Sequence, residues 1–208
     1  AEKKKQTIQF SAIFTILVLS ISVITVRAIS IGDAQRAKIV EDIEAGNSVT
    51  PTTATGIWLT GDSVILGIRN ELAKNYEVGL VNARVGRQAP ELLNEITHDL
   101  KSAPDGPVVL NLGNNNALNE QTVIDIFEVV KNQPQVIVVN TSVPRSWKDA
   151  NNAIISKVAS SYPNVRLVDW DRVSKDRPEL FAPDGVHLSP TGSDVYVDLV
   201  LSVISKTS

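Results

Sequence analysis

The chain has 208 residues, no cysteine, no methionine and a formal charge of −3. That length suits one α/β domain with accessory segments, and the lack of cysteine excludes disulfides, a thiol nucleophile and thiolate metal sites. Residues 1–27 carry Lys3, Lys4, Lys5 and Arg27 against Glu2, a net of +3, which leaves −6 on residues 28–208. A mildly acidic domain is a poor partner for a phosphate backbone, so nucleic-acid binding is not expected.

Residues 8–26 form an uncharged apolar run of nineteen residues. As a helix it would be about 28 Å long, close to the roughly 30 Å of a bilayer's hydrocarbon core. The three preceding lysines place its start in the cytoplasm and everything after Arg27 outside. A cleaved signal peptide, with Val26-Arg27-Ala28 as the cleavage site, is the rival reading, although its apolar stretch would exceed the usual ~7–15 residues. A buried core helix is a third. The absence of an initiator methionine is expected of a chain processed or cut from a longer one. Ile31–Ala45 is helix-prone, with Ile39 and Ile43 on one stripe and Gly46-Asn47 as a stop, and Ser48–Thr55 reads as an extended Thr/Pro linker. The predicted organisation is therefore a transmembrane segment over 1–27, a connector over 28–55 and a catalytic domain over 56–208.

From Gly56 onward, apolar β-branched runs fall at Gly56–Thr60, Val78–Ala83, Val108–Leu112, Val136–Asn140 and Val165–Trp170. They are continuous rather than alternating, as expected of parallel strands covered on both faces. Helical patterns separate and follow them: Val64–Ala73, Pro90–Lys101, Gln121–Lys131, Trp147–Ser160 and Gly192–Ile204. This rhythm predicts an α/β fold, a three-layer α/β/α sandwich around a five-stranded parallel sheet with right-handed crossovers. Ligands of such sheets bind at the carboxyl ends of the strands.

The residues that can carry chemistry fall past those ends. Gly61-Asp62-Ser63 stands at the first strand-to-helix turn, where Ser63 reads either as a helix cap or as a nucleophile. Gly86, in the turn after the second strand, can offer a backbone N–H to an oxyanion, or be an ordinary turn glycine. Asn114, Asn115 and Asn116 follow the third strand, where a carboxamide can donate to developing negative charge without titrating, or serve as an Asx-turn cluster. Arg145 and Trp147 follow the fourth and can bind an anionic group and stack on a sugar, or be a surface Arg and a partly buried Trp. Asp184-Gly185-Val186-His187 follows the fifth, with His187 as general base and Asp184 as its orienter; Asp169 and Asp171 are rival orienters. His98 is expected on a surface helix with no role. Two separated histidines without cysteine imply no metal site, and the glycines form no phosphate-cradling motif, so no cofactor is implied.

Gly61-Asp62-Ser63, Gly86, Gly113-Asn114-Asn115 and Asp184-x-x-His187 resemble, in order and spacing, the four blocks of SGNH (GDSL-type) hydrolases, whose sheet is flavodoxin-like. The resemblance covers residues 57–205, with Val64 in place of the Leu of the name motif and Asn116 in place of an Asp common after the block Asn. It implies a Ser63–His187–Asp184 triad. The implied oxyanion hole comprises the Ser63 and Gly86 N–H groups and the Asn115 side chain, with Asn114, Arg145 and Trp147 near substrate. Residues 82–88, 139–147 and 184–188 are more narrowly similar to the extracytoplasmic domain of OatA-type peptidoglycan O-acetyltransferases, in which an acyltransferase-3 membrane domain precedes the SGNH domain. That resemblance implies an enzyme held at the cell membrane of a Gram-positive-like bacterium. It would take acetyl from the membrane domain and pass it to the muramoyl C6 hydroxyl of peptidoglycan. An esterase or deacetylase with the same triad, a transferase for another envelope polysaccharide or lipid, and a catalytically silent glycan-binding module are the other readings.

Overall fold

A computed structural model describes residues 33–45 and 54–204. The chain divides into two compact units, 1–38 and 39–208. In the first, the described residues 33–38 are helical; in the second, residues 39–45 are helical. In the second, the Ile43 carbonyl accepts a hydrogen bond of 3.0 Å from the Arg69 guanidinium. The apolar run at 8–26 and most of the Thr/Pro linker lie outside the described residues. Among those residues, no helix is long and apolar enough to cross a membrane.

Five strands form the sheet: β1 (Ile57–Gly61), β2 (Val78–Ala83), β3 (Val108–Asn111), β4 (Val136–Val139) and β5 (Val165–Val168). They are all parallel, in the order β2-β1-β3-β4-β5. The interior strands β1, β3 and β4 are buried at every residue, which is why they read as unbroken apolar runs. The edge strand β5 exposes Arg166 and Leu167.

Helices cover both faces: α1 (Ser63–Ala73), α2 (Ala89–Asp99), α3 (Glu120–Val130), α4 (Lys148–Ala159), α5 (Trp170–Ser174) and α6 (Pro190–Val203). Side chains alternate across a strand, so neighbouring residues enter different cores. Trp58, Val108, Leu110, Val136 and Val138 pack with Leu92, Ile96, Ile126, Phe127 and Ile155 from α2, α3 and α4. Ile57, Leu59, Val109, Ile137 and Val139 pack with Ile65, Ile68, Leu72, Tyr196 and Val200 from α1 and α6.

The predicted strands and helices agree with the structure to within two residues at each end, and the fifth strand's tail is the instructive difference. It stops at Val168 rather than Trp170, because the Asp169 side chain accepts from the Arg172 N–H and starts α5. A 3₁₀ turn, Pro178–Leu180, follows. The Asp184–His187 loop is therefore reached through two short elements and does not leave the sheet directly. The first turn of α6 presses on that 3₁₀ turn so closely that a Cβ on Gly192 would lie 1.8 Å from the Leu180 carbonyl oxygen.

Strand order reverses between β1 and β3: the chain steps from β1 to β2 on one side, then crosses to β3 on the other. Such a switch point opens a crevice at the carboxyl ends of the two strands. Ser63 follows β1 and the Asn114–Asn116 loop follows β3, so both lie at that crevice.

Candidate active site

The β1-to-α1 turn needs Gly61. Its φ is +152°, and a Cβ there would sit 2.7 Å from the Asn111 carbonyl oxygen of β3. The cap of α1 is Asp62, whose carboxylate accepts from the Val64 N–H at 3.0 Å. Ser63 is thus not the cap. As the first helical residue, its N–H is among the four without an intrahelical acceptor.

His187 is fixed by a loop closed on itself. The Ala182 N–H donates to the His187 carbonyl at 2.7 Å, Phe181 bridges Leu188, and Gly185 takes φ +67° at the tip. Asp184 Oδ1 accepts from the Val186 and His187 N–H groups, each at 3.0 Å. Its Oδ2 lies 2.6 Å from His187 Nδ1, and His187 Nε2 lies 3.0 Å from Ser63 Oγ. An ionised carboxylate only accepts, so Nδ1 carries the proton and Nε2 presents a lone pair to the Ser63 hydroxyl. Burial pushes the Asp184 carboxyl up. The Val186 N–H, the His187 ring and the His187 N–H more than offset it and hold the group below the usual carboxylate value.

The rival orienters are committed elsewhere. Both oxygens of Asp171 lie 2.8 Å from Lys148 Nζ, and Asp169 accepts from the Asn140 amide at 2.8 Å. His98 is exposed on α2.

Beneath Ser63 lies a polar floor. Asp62 Oδ2 accepts from the Asn114 amide at 3.0 Å and the Asn115 amide at 3.2 Å, and Asn115 also donates to the Arg87 carbonyl at 3.1 Å. Asn114 is buried. It donates to Asn111 Oδ1 at 2.6 Å as well, and Thr141 Oγ1 donates to its carbonyl. Its amide and its carbonyl are thus both engaged within the protein. Gly86 is exposed, with φ +74° and no atom within 4 Å of where a Cβ would stand.

Arg145 is exposed and donates to the Pro144 carbonyl at 3.3 Å; Trp147 is half-buried and opens α4. Their loop reaches the histidine loop, since a Cβ on Gly185 would meet the Pro144 ring at 3.6 Å. Asn151 was not singled out by sequence. From α4 it donates to the Gly113 and Asn116 carbonyls, both at 2.8 Å, and accepts from the Leu118 N–H, latching the asparagine loop. A polar residue on the inward face of a helix is the only sequence signal it leaves.

The buried Asp62 carboxyl is raised to about 6. Burial is the main cause, partly opposed by the Val64 N–H, the Asn114 amide and the charges of His187 and Arg87. A raised folded pKa gives stability below the unfolded value that is lost as pH rises through the folded one. Between about pH 4 and 6 this group should therefore cost on the order of 3 kcal/mol of stability. Asp184, whose pKa is lowered, acts below that window and with the opposite sign. Melting temperatures from pH 4 to 7.5 should lose this slope in Asp62→Asn; an unchanged slope would assign it to another group.

The five-stranded parallel sheet in the order β2-β1-β3-β4-β5 matches the α/β fold of SGNH (GDSL-type) hydrolases. A GDSL-like lipase from Bacteroides thetaiotaomicron shares the fold, with a TM-score of 0.60 at 19% identity over 81% of this chain and 95% of that one. The chain's homologues are the OatA-type peptidoglycan O-acetyltransferases. It is 35% identical over 163 residues to peptidoglycan O-acetyltransferase OatA of Listeria monocytogenes, covering 77% of this chain and 26% of that protein. It also matches the C-terminal catalytic domain of Streptococcus pneumoniae OatA, solved as a methylsulfonyl adduct. There the TM-score is 0.57 and the identity 26%, over 73% of this chain and 93% of that domain. The chain spans about a quarter of the length of the curated relatives it matches. No protein-family model matches the sequence.

Proposed function

We propose that this chain is the extracytoplasmic catalytic part of a serine-dependent O-acetyltransferase that passes acetyl to a cell-envelope glycan. The observation that carries this reading is the hydrogen-bonded line from Asp184 through His187 to Ser63, in a chain whose homologues bear that activity in their names. Ser63 is the nucleophile, His187 the general base and Asp184 its orienter. The Ser63 and Gly86 N–H groups and the Asn115 side chain receive the oxyanion. Both hydrogens of the Asn115 amide already have acceptors, so one must turn from Asp62 or Arg87 toward the oxyanion when it forms. Arg145 and Trp147, beside the histidine loop, contact the glycan.

The reaction is ping-pong. Ser63 Oγ attacks the carbonyl carbon of the acetyl donor as its proton passes to His187 Nε2. The tetrahedral intermediate collapses, the leaving oxygen takes that proton, and acetyl-Ser63 remains. A glycan hydroxyl then gives its proton to His187 and attacks the acetyl carbon, and Ser63 recovers its proton as it leaves.

Residues 8–26 span the membrane and residues 28–55 connect them to the catalytic domain. The donor acetyl arrives from a membrane acyltransferase-3 domain, and the acceptor is the muramoyl C6 hydroxyl of peptidoglycan. Incubation with an activated acetyl ester and peptidoglycan oligosaccharides, read by mass spectrometry, should give O-acetylated oligosaccharide. Free acetate alone would make the chain an esterase.

A further inference from the structure

We propose that Arg87 is a positioning residue: its buried guanidinium fixes the two oxyanion donors outside the nucleophile's own helix, the Gly86 N–H and the Asn115 amide, and so sets turnover rather than substrate affinity. The proposal rests on the reading of Gly86 and Asn115 as oxyanion donors.

The turn that presents Gly86 is not held by packing on that residue. Gly86 is exposed and open on its Cβ side, and the turn's own closure is one bond of 3.2 Å from the Arg87 N–H to the Arg84 carbonyl. Main chain ties the turn to the sheet by one bond of 3.3 Å, from the Arg84 N–H to the Gly61 carbonyl of β1, and the Arg87 side chain, only 7% exposed, supplies the further tie. Its Nη1 donates to the Asn82 carbonyl at 2.6 Å and its Nη2 to Asn82 Oδ1 at 2.7 Å. Asn82 lies in β2, and its amide nitrogen donates in turn to Asp99 at 2.6 Å and Glu95 at 3.0 Å on α2. The guanidinium thus grips main chain and side chain of one residue at the sheet's end, five positions back. From the other side, the Arg87 carbonyl receives the Asn115 amide at 3.1 Å. One residue therefore connects β2, the Gly86 turn and the asparagine loop after β3.

Burying a guanidinium is costly unless its geometry is used, and an ordinary surface turn does not require one. The two-pronged grip on Asn82 also leaves this side chain turned toward the protein, not toward a substrate. Lysine would keep the charge but lose the fork.

The test is steady-state kinetics on an activated acetyl ester for Arg87→Lys, Arg87→Ala and Asn82→Ala, each also combined with Asn115→Ala, alongside melting curves. A displacement of about 1 Å in such a site costs on the order of 10²-fold in rate. We expect kcat to fall roughly 10–100-fold in each single variant with KM within about twofold. Guanidinium ion should restore part of kcat to Arg87→Ala. In the Asn115→Ala background the added loss should be smaller than in the parent, because the part that acts through Asn115 is already gone and only the part that acts through Gly86 remains. A raised KM with kcat kept would make Arg87 a substrate contact and overturn the proposal. Multiplying losses in the combined variants would reduce it to a structural residue. If Arg87→Ala does not fold, Asn82→Ala carries the same cycle. If Asn115→Ala alone leaves kcat unchanged, the oxyanion reading fails, an outcome separate from additive losses.

Discussion

Replacing Ser63 with alanine should abolish turnover of an activated acetyl ester while the protein stays folded. Loss of the nucleophile in a triad of this kind costs on the order of 10⁶-fold in kcat, because the remaining groups then have no bond to make. Ser63 is only 4% exposed, and among the described residues its side chain bonds His187 alone; α1 is capped by Asp62. The helix therefore keeps its start, and the melting temperature should move little. Unchanged turnover in folded Ser63→Ala would refute the triad. The same variant should lose acetyl transfer to oligosaccharide and ester hydrolysis together, since both pass through acetyl-Ser63.

Asp184→Asn should lower kcat by about 10⁴-fold with little change in KM. An amide oxygen can still accept from the Val186 and His187 N–H groups, so the loop can close as before. The amide nitrogen, however, would face His187 Nδ1 at the place where Oδ2 now lies 2.6 Å away. A donor there favours the tautomer with its hydrogen on Nε2, and that nitrogen can no longer take the Ser63 proton. Asp171→Asn is the control. Its carboxylate pairs with Lys148 rather than with a ring nitrogen, so turnover should stay within about twofold. If Asp171→Asn is the crippling change and Asp184→Asn is not, the orienter is misassigned.

Much of the scaffold was legible in the sequence because burial on both faces leaves a direct trace. Every residue of β1, β3 and β4 is buried, and each of these strands reads as an apolar run. The edge strand β5 gave a weaker boundary. Trp170 is as apolar as a strand residue but is buried at the start of a helix that Asp169 caps. Pattern alone does not separate those two uses of a tryptophan. The proposed base and its orienter were legible for a local reason, since Asp184 and His187 are three residues apart and meet within one turn.

What joins distant segments was not legible. Asp62 reads as a loop residue beside Ser63. Only the fold sets it against asparagines 52 and 53 positions away, burying a carboxylate whose pKa rises to about 6. Arg87 reads as one of two arginines flanking a glycine; its neighbour Arg84 pairs with Glu91 at the surface, whereas Arg87 is buried on Asn82. Asn151 carries no motif, yet it holds the asparagine loop from 35 positions or more away. By itself the sequence determined the layers, the strand ends at which chemistry can occur and the residue types available there, because periodicity and short-range spacing are properties of the chain. The tertiary structure alone decided that the Ser63 hydroxyl meets His187, which carboxylate lies beneath the asparagines, and which arginine is held inside. Those choices depend on side chains from separate strand ends meeting at hydrogen-bond distance, and the parallel sheet's switch point is what brings them together.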